Sequence, residues 1–234
     1  MAIVGLGPGD PGDLSARAKA VLEACDVIVG YDTYVDVIKG LFPNKKFISG
    51  GMRAEVKRAK LAIEMANSGF KVALVSGGDA GIYGMAGLAL ELAPGGLSVA
   101  VVPGITAASS VAASLGAPIM SDFAVISLSD LLTPWEEIER RAIAAFEADF
   151  VVVLYNPRSA KRNWQLERVR DLGLVRRPPG TPVGVGWRDG RTEISTLRDF
   201  CELPIDMSAT VVIGNSRTYV KGGRMITPRG YDLE

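Results

Sequence analysis

Short runs of aliphatic residues alternate with longer stretches in which apolar residues recur every three or four positions along the first half of the chain. The short runs predict strands and the longer stretches predict helices. Their alternation predicts a largely parallel sheet covered by helices, with functional loops at the carboxyl ends of the strands. The predicted strands cover residues 3–4, 27–29, 47–48, 72–75 and 99–102, and the predicted helices cover residues 14–24, 35–41, 54–68, 82–92 and 105–115.

The second half contains the same two kinds of pattern in a less regular order. Predicted strands cover residues 123–128, 150–154, 183–187, 192–196 and 210–213, and predicted helices cover residues 135–146 and 160–172. Between the halves, Gly116, Ala117 and Pro118 interrupt the helical pattern and predict a linker. We therefore predict two α/β domains in tandem, residues 1–116 and residues 117–234.

The composition predicts a soluble, cytoplasmic protein. Of the 234 residues, 48% are hydrophobic and 22% are charged, which is in the globular range. No apolar run approaches the roughly 20 residues that span a bilayer, and the first residues lack the pattern of a secretory signal. The formal net charge of zero argues against an extended surface for nucleic acid.

The absence of histidine restricts the chemistry, because histidine is the commonest general base and metal ligand. Cys25 and Cys201 are isolated in the sequence, so they predict buried thiols rather than a metal pair or a disulfide. We predict no metal site. Catalysis must then use carboxylates, lysine, tyrosine, backbone groups or a cofactor that carries its own reactive group.

Three glycine-rich segments each follow a predicted strand: GLGPGD at residues 5–10, SGGDAGIYG at residues 76–84 and VPGITAASS at residues 102–110. The first is a poor dinucleotide motif, because Asp10 replaces the third glycine and Pro8 removes a backbone donor. Asp79 in the second either contacts a ligand or caps the following helix. Small residues in the third leave room for an adenine or ribose, or for tight helix packing.

In this order the three segments resemble the tetrapyrrole methylase family, over essentially the whole chain. Residues 30–34 (GYDTY), 122–135 and 154–159 are similar to the branch that methylates carbon 17 of precorrin-3B in corrin synthesis. The resemblance implies a tetrapyrrole methylase fold with a cofactor cleft between the two α/β domains. It also implies a homodimer that uses S-adenosyl-L-methionine, releases S-adenosyl-L-homocysteine, and methylates a large anionic tetrapyrrole with contraction of the ring.

The resemblance also implies which residues contact the cofactor. From the first half these are Pro8, Gly77, Gly78, Asp79, Ile82, Thr106 and Ala107. From the second half they are Tyr155, Asn156, Asp189 or Gly190, and Thr210. Most of these contacts would be made by backbone groups.

The implied substrate carries acetate and propionate groups, for which arginine is the natural partner. Our candidates are Arg53, Arg58, Arg158 and Arg162, whose alternative role is a solvated helix face. Asp130, Tyr31 and Ser121 are the candidates for moving protons, each with an alternative role as a cap, a phenol at the edge of the core or a turn residue. Ser121 stands where many relatives are expected to have histidine.

Several alternatives remain open at this point. The substrate could be the cobalt-containing cobalt-factor III instead of metal-free precorrin-3B, or the methyl group could go to another macrocycle carbon. A relative acting on a diphthine precursor or on ribosomal RNA is also possible, although the neutral charge disfavours RNA. A non-catalytic tetrapyrrole carrier is the alternative outside enzymes.

Overall fold

The computed structural model describes residues 1–159 and 162–232. The chain divides into two compact units, Met1–Ala107 and Ala108–Glu234. Both units combine a sheet with covering helices, so the predicted tandem α/β architecture is confirmed.

The first unit is built on a five-stranded parallel sheet, as the alternating pattern predicted. The strands are β1 (Ala2–Gly5), β2 (Val27–Tyr31), β3 (Lys46–Gly50), β4 (Val72–Ser76) and β5 (Ala100–Val102), in the spatial order β3-β2-β4-β1-β5. The helices are α1 (Ala16–Ala24), α2 (Asp32–Ile38), α3 (Glu55–Asn67) and α4 (Ala86–Leu92), and a 3-10 turn covers Pro11–Asp13. Because β4, β1 and β5 are parallel neighbours, the loops that follow them leave the sheet at one edge.

The central strands of this sheet are buried on both faces. Ile3 and Val4 of β1 and Leu74 of β4 are inaccessible to solvent, which explains why these strands read as unbroken aliphatic runs. Helix α4 begins at Ala86, four residues later than predicted. Tyr83 adopts a positive φ of 52°, a conformation that does not continue into a helix.

The second unit has a mixed five-stranded sheet. Its helices are α5 (Ala107–Leu115), α6 (Trp135–Glu147) and α7 (Trp164–Leu174), and a 3-10 turn covers Phe200–Glu202. Its strands are β6 (Gly116–Ala117), β7 (Phe123–Ser127), β8 (Val151–Tyr155), β9 (Pro182–Gly186), β10 (Thr192–Thr196), β11 (Thr210–Ile213), β12 (Tyr219–Lys221) and β13 (Arg224–Ile226). The main sheet has the order β10-β9-β11-β8-β7, in which only β7 and β8 are parallel neighbours.

Helix α7 begins at Trp164, later than the predicted start at residue 160. Ala160 and Lys161, which the prediction placed in this helix, lie outside the described residues.

A small three-stranded sheet in the order β12-β13-β6 was not predicted. Strands β12 and β13 form a hairpin whose turn contains Gly222 and Gly223, both at positive φ. Strand β13 then pairs in parallel with Gly116 and Ala117, so the predicted linker is wrong at these two residues. Their pairing partner is remote in sequence, and no local pattern could reveal it.

The division between the units falls after Ala107, earlier than the predicted boundary after residue 116. Helix α5 accounts for the difference, because its Ala108 and Leu115 join a buried cluster with Val151 and Val153 of β8. Glycines of β9 make room for this helix: a Cβ at Gly184 would overlap the side chain of Leu115. Helix α5 therefore packs with the elements that follow it.

Both cysteines are buried free thiols, as predicted. Burial raises the pKa of the Cys25 thiol, and it raises the pKa of Cys201 to about 11. Neither thiol is therefore ionised near neutral pH. Among the described residues, the helices are all too short or too polar to cross a bilayer.

Candidate functional site

Three glycine-bearing loops meet at the carboxyl edge of the first sheet. Gly7, after β1, and Gly78, after β4, form a two-way backbone bridge: each N–H donates to the other's carbonyl oxygen, at 3.1 and 2.8 Å. A Cβ at Gly5 would lie 2.6 Å from the nitrogen of Gly104, after β5. A Cβ at Gly104 would in turn overlap the carbonyl oxygen of Gly78. The junction is thus built from main chain alone, and only glycine fits there.

The carboxylate of Asp79 stabilises this junction through two hydrogen bonds. Its Oδ2 accepts a hydrogen bond of 3.0 Å from the backbone N–H of Gly104, and its Oδ1 accepts one of 2.8 Å from Gly81. The carboxylate therefore ties the second loop to the third. This contact is neither of the two roles that the sequence suggested for Asp79, which were ligand contact and helix capping.

The main chain of Gly78 lies close to the third loop. Gly78 has a positive φ of 62°, and a Cβ there would lie 3.8 Å from Cα of Thr106 and 3.9 Å from the backbone nitrogen of Ala107. A Cβ at Gly78 would therefore be in van der Waals contact with the main chain of the third loop. The structure thus brings together the backbones of three predicted cofactor residues.

Pro8 and Ile82 lie in the same two loops. Pro8 is half-buried between Gly7 and Gly9, both at positive φ, so the flanking glycines turn the chain around it. Ile82 follows the turn made by Asp79 and is 39% exposed. An exposed branched side chain on these loops can provide an apolar wall for a ligand.

Gly77 lies against an aromatic pair of which the sequence analysis selected only Tyr31. A Cβ at Gly77 would be 2.6 Å from the ring of Tyr34, which itself meets Tyr31 edge to face with centroids 5.4 Å apart. The guanidinium of Arg58 lies 5.7 Å from the centroid of the Tyr31 ring. Tyr31, a catalytic candidate, is thus part of a packed array that crosses the ends of β2, β3 and β4.

The second unit collects its predicted cofactor residues at one edge of its main sheet. Tyr155 ends β8 and is paired with Ser127 at the end of β7, while Thr210 begins the antiparallel strand β11. The hydroxyl oxygen of Tyr155 accepts a hydrogen bond of 2.7 Å from the N–H of Ala108. Asn156, at a positive φ of 51°, donates from Nδ2 to Oγ of Ser127 at 2.9 Å.

Asp189 and Gly190 lie at the tip of the β9–β10 hairpin, at the same edge. Gly190 has a positive φ of 86°, and its N–H donates to the carbonyl oxygen of Trp187. The Asp189 carboxylate accepts from the side chain of Arg191 at 2.7 Å and from its backbone N–H, and these bonds lower the pKa of Asp189. The exposed turn is therefore held by its own hydrogen bonds.

Three of the four candidate substrate arginines make intramolecular contacts. Arg58 donates to the carbonyl oxygens of Gly50 and Gly51 at 3.2 and 2.7 Å. Arg158 donates to Glu167 and to the carbonyl oxygen of Cys201. These contacts are typical of arginines that stabilise a fold.

The third arginine with intramolecular contacts is Arg162, and the remaining candidate is Arg53. Arg162 is 9% exposed, donates to the carbonyl oxygen of Leu128, and has a lowered pKa because it is desolvated. Arg53 differs from the other three, because its side chain is exposed and its backbone has a positive φ of 62°. This arginine is therefore the candidate best presented to an external carboxylate.

Two of the three candidate proton-moving groups, Asp130 and Ser121, lie apart within the second unit. Asp130 follows the carboxyl end of β7, whereas Ser121 precedes its amino end, so a strand of about 15 Å separates them within the second unit. Ser121 instead lies 3.5 Å from a guanidinium nitrogen of Arg217. Tyr31 belongs to the first unit.

Sequence reasoning missed Gly104 and Tyr34 in the first unit and Gln165 in the second. The sequence contained a signal for Gly104, because it is the glycine of VPG and follows a predicted strand, as the glycines of the other two segments do. Gln165 offered no such signal, because its burial against Asp130 depends on how β7 and α7 meet.

The sequence profile of the family described as Tetrapyrrole (Corrin/Porphyrin) Methylases matches residues 1–200. The chain is 47% identical over 240 residues to the probable cobalt-factor III C(17)-methyltransferase of Salmonella typhimurium, with both chains covered completely. It is 46% identical to the cobalt-factor III methyltransferase of Priestia megaterium, of which the matched region spans 44%.

Solved structures show the same fold. The methyltransferase CobJ superimposes with a TM-score of 0.91 at 35% identity, covering 97% of this chain and 98% of CobJ. The uroporphyrin-III C-methyl transferase from Thermus thermophilus complexed with S-adenyl homocysteine has a TM-score of 0.69 at 23% identity, covering 91% of this chain and 96% of the other. At that identity the second likeness concerns the fold alone.

Proposed function

The chain belongs to the tetrapyrrole (corrin/porphyrin) methylase family, and from this premise we propose that it transfers a methyl group from S-adenosyl-L-methionine to carbon 17 of a corrin-pathway tetrapyrrole. The names of the two relatives favour cobalt-factor III as the substrate, with precorrin-3B as the metal-free counterpart. Contraction of the macrocycle is part of this proposal. A homodimer in the cytoplasm remains a prediction from the sequence.

The observation that carries the proposal is the close approach of the main chain at Gly78 and at residues 105–107, with small residues on both loops. Adenine and ribose present many polar atoms, which main-chain N–H and C=O groups recognise when no side chain intervenes. These loops fit this requirement, since Gly78, Thr106 and Ala107 are small residues with their backbones close together. We propose that Gly77, Gly78, Thr106 and Ala107 bind the cofactor directly, with Pro8 and Ile82 beside them, and that Asp79 holds the loops in register.

In the second unit, we propose Tyr155, Asn156 and Thr210 as the cofactor contacts. The ring of Tyr155 is held in place by the hydrogen bond from Ala108, so it provides a fixed surface. Asp189 is a weaker candidate than Gly190, because its carboxylate is already bonded to Arg191. Gly190 still offers its backbone.

When bound, S-adenosyl-L-methionine supplies a methyl group on a positively charged sulfur, so the protein contributes mainly by alignment and by exclusion of water. The rigid junction of Gly5, Gly78 and Gly104 suits that task, because main-chain packing leaves little freedom for a bound nucleoside to shift. Asp130 follows strand β7, whose last residue Ser127 is paired with Tyr155, and it is our first candidate for holding or moving a proton. Tyr31 and Ser121 follow as candidates.

The test is incubation of the purified protein with S-adenosyl-L-methionine and either cobalt-factor III or precorrin-3B, followed by mass spectrometry. We expect a product heavier by one methyl group, and NMR of labelled product should locate the label at carbon 17. Tetrapyrrole binding without methylation would support the carrier alternative instead. Failure to bind S-adenosyl-L-methionine in calorimetry would overturn the proposal.

Replacing Arg53 by alanine should weaken tetrapyrrole binding about tenfold, the effect of losing one charge-assisted hydrogen bond. The affinity for S-adenosyl-L-methionine should stay unchanged. Lys57→Ala is the matched control, because Lys57 is an exposed cation on the following helix α3. Titration of both ligands into each variant measures the effect, and equal losses in the two variants would show a general charge effect rather than a specific contact.

A further inference from the structure

Two adjacent leucines stand exposed on the loop between β7 and α6. Leu131 is 67% exposed and Leu132 is 93% exposed. Single exposed leucines are common on protein surfaces. Two adjacent exposed leucines form a small apolar patch, and such a patch indicates a binding surface. The patch directly follows Asp130, to which the proposed function already assigns a role.

The loop that carries them is held by buried polar residues. Gln165, which is 2% exposed, donates from Nε2 to Oδ2 of Asp130 at 2.9 Å. The guanidinium of Arg162 lies 3.9 Å from the other carboxylate oxygen and also donates to the carbonyl oxygen of Leu128. Asp130, the residue immediately before the leucines, is thus held by the side chains of Gln165 and Arg162.

The far end of the loop is also anchored. Trp135, the first residue of α6, packs edge to face on Trp164, the first residue of α7, with ring centroids 4.7 Å apart. The exposed leucines therefore lie between two fixed points. Their position is defined by the fold although their side chains face solvent.

Holding the loop in this way is costly for the fold. Burial disfavours the charged form of Arg162, and Oε1 of Gln165 is buried without a hydrogen-bond partner among the described residues. A connection that served only to join β7 to α6 would not need a buried cation and a half-satisfied amide. Buried polar networks of this kind are retained where a specific conformation matters.

The loop leaves the sheet at the edge that carries the proposed cofactor contacts. Ser127, the last residue of β7, is paired with Tyr155 and accepts a hydrogen bond from Asn156. Leu128, next in the chain, donates its N–H to the carbonyl oxygen of Tyr155 at 2.9 Å. The leucines thus begin only a few residues beyond this bonded group.

We propose that Leu131 and Leu132 form an apolar platform against which the flat face of the tetrapyrrole macrocycle packs, and that Gln165 is the positioning residue that fixes this platform through Asp130. The proposal rests on the proposed function and adds to it a specific substrate contact. A macrocycle has apolar faces and a charged rim, so leucines on a fixed loop complement the part that arginines cannot bind.

The first test is Leu132→Ser, with Val175→Ser as the matched control. Val175 is 79% exposed and lies in the same unit, directly after α7. Burying one leucine side chain corresponds to roughly a tenfold change in affinity or more, so KM and Kd for the tetrapyrrole should rise about tenfold in Leu132→Ser alone. Affinity for S-adenosyl-L-methionine and the thermal midpoint should not change in either variant.

The second test is Gln165→Met, which keeps the volume but removes both the donor to Asp130 and the unsatisfied oxygen. A positioning role predicts a raised tetrapyrrole KM with little change in thermal midpoint, because the loss of a hydrogen bond is offset by removal of a buried unpaired group. Gln165→Asn should not restore the contact, since its side chain is one methylene shorter. A lower midpoint with normal KM would mean that Gln165 is only structural.

The outcomes separate this proposal from the one it rests on. If the wild type methylates the tetrapyrrole but Leu132→Ser and Val175→Ser behave alike, the platform is wrong and the proposed function stands. If Leu132→Ser weakens S-adenosyl-L-methionine binding instead, the platform is also wrong. If the wild type neither binds nor methylates any tetrapyrrole, both proposals fail.

Discussion

Gly104→Val is expected to abolish binding of S-adenosyl-L-methionine and to destabilise the first unit by about 3 kcal/mol or more. The new side chain would overlap the carbonyl oxygen of Gly78, and its Cβ would lie 2.7 Å from the carbonyl carbon of Gly5. Both neighbours are main chain, so no rotamer change can relieve the overlap. The loops after β1 and β4 would have to separate.

Chemical denaturation followed by circular dichroism measures the loss of stability, and calorimetry on the folded protein at low temperature measures cofactor binding. Gly87→Ala is the matched control, because Gly87 lies in α4 with open space around its position. Alanine there should stabilise the helix by up to about 1 kcal/mol and leave binding unchanged. Normal cofactor affinity in Gly104→Val would show that the loop junction is not the binding surface.

Arg177→Met is expected to lower the free energy of unfolding by about 2–3 kcal/mol, because two carbonyl groups lose their donor. Arg177 is 4% exposed and donates to the carbonyl oxygens of Gly214 and Phe150. Its guanidinium also lies 4.8 Å from the centre of the Phe146 ring and 3.9 Å from the Asp149 carboxylate. Methionine would fill much of the space but leave two buried carbonyl groups unpaired.

Urea titration measures this effect, with Arg141→Met as the control. Arg141 forms an exposed pair with Glu137 on α6, and such pairs contribute less than about 1 kcal/mol. Phe150 and Gly214 flank the edge of the sheet opposite to Tyr155, so folded Arg177→Met should retain normal KM values. An unfolding free energy equal to that of Arg141→Met would contradict the assigned role.

The sequence was sufficient for the parts of the fold that local patterns determine. The aliphatic runs of β1 and β4 and the alternation of strands with helices predicted the first sheet, because buried parallel strands need continuous apolar residues. It also predicted that the segments carrying Gly78 and Thr106 follow strands of this sheet. These successes share one property: the relevant residues are close together in the chain.

The misses depend on contacts between distant residues or on turns whose signal was overlooked. Gly116 and Ala117 are a strand only because β13 pairs with them. The Gly222–Gly223 pair between two short runs was itself a hairpin signal, since both residues take positive φ in the turn.

The arginines show a different limit of sequence reasoning. Spacing placed Arg58 and Arg162 in basic clusters, but spacing does not reveal which side chains turn inward. Arg58 does so, and its guanidinium donates to the carbonyl oxygens of Gly50 and Gly51 at the end of β3. Burial of a cation is decided by such acceptors, which appear only once the strands are assembled.

The pairing of β13 with β6 bears on the order in which a growing polypeptide can fold. Every strand of the first sheet has been synthesised once Val102 has left the ribosome, so that sheet can form early. Gly116 and Ala117 emerge soon afterwards, yet their partners Met225 and Ile226 follow only about 110 residues later. We therefore expect the second unit to complete its folding only after these residues are synthesised, because Met225 is buried in its core. Chaperones would meet the nascent protein in that interval.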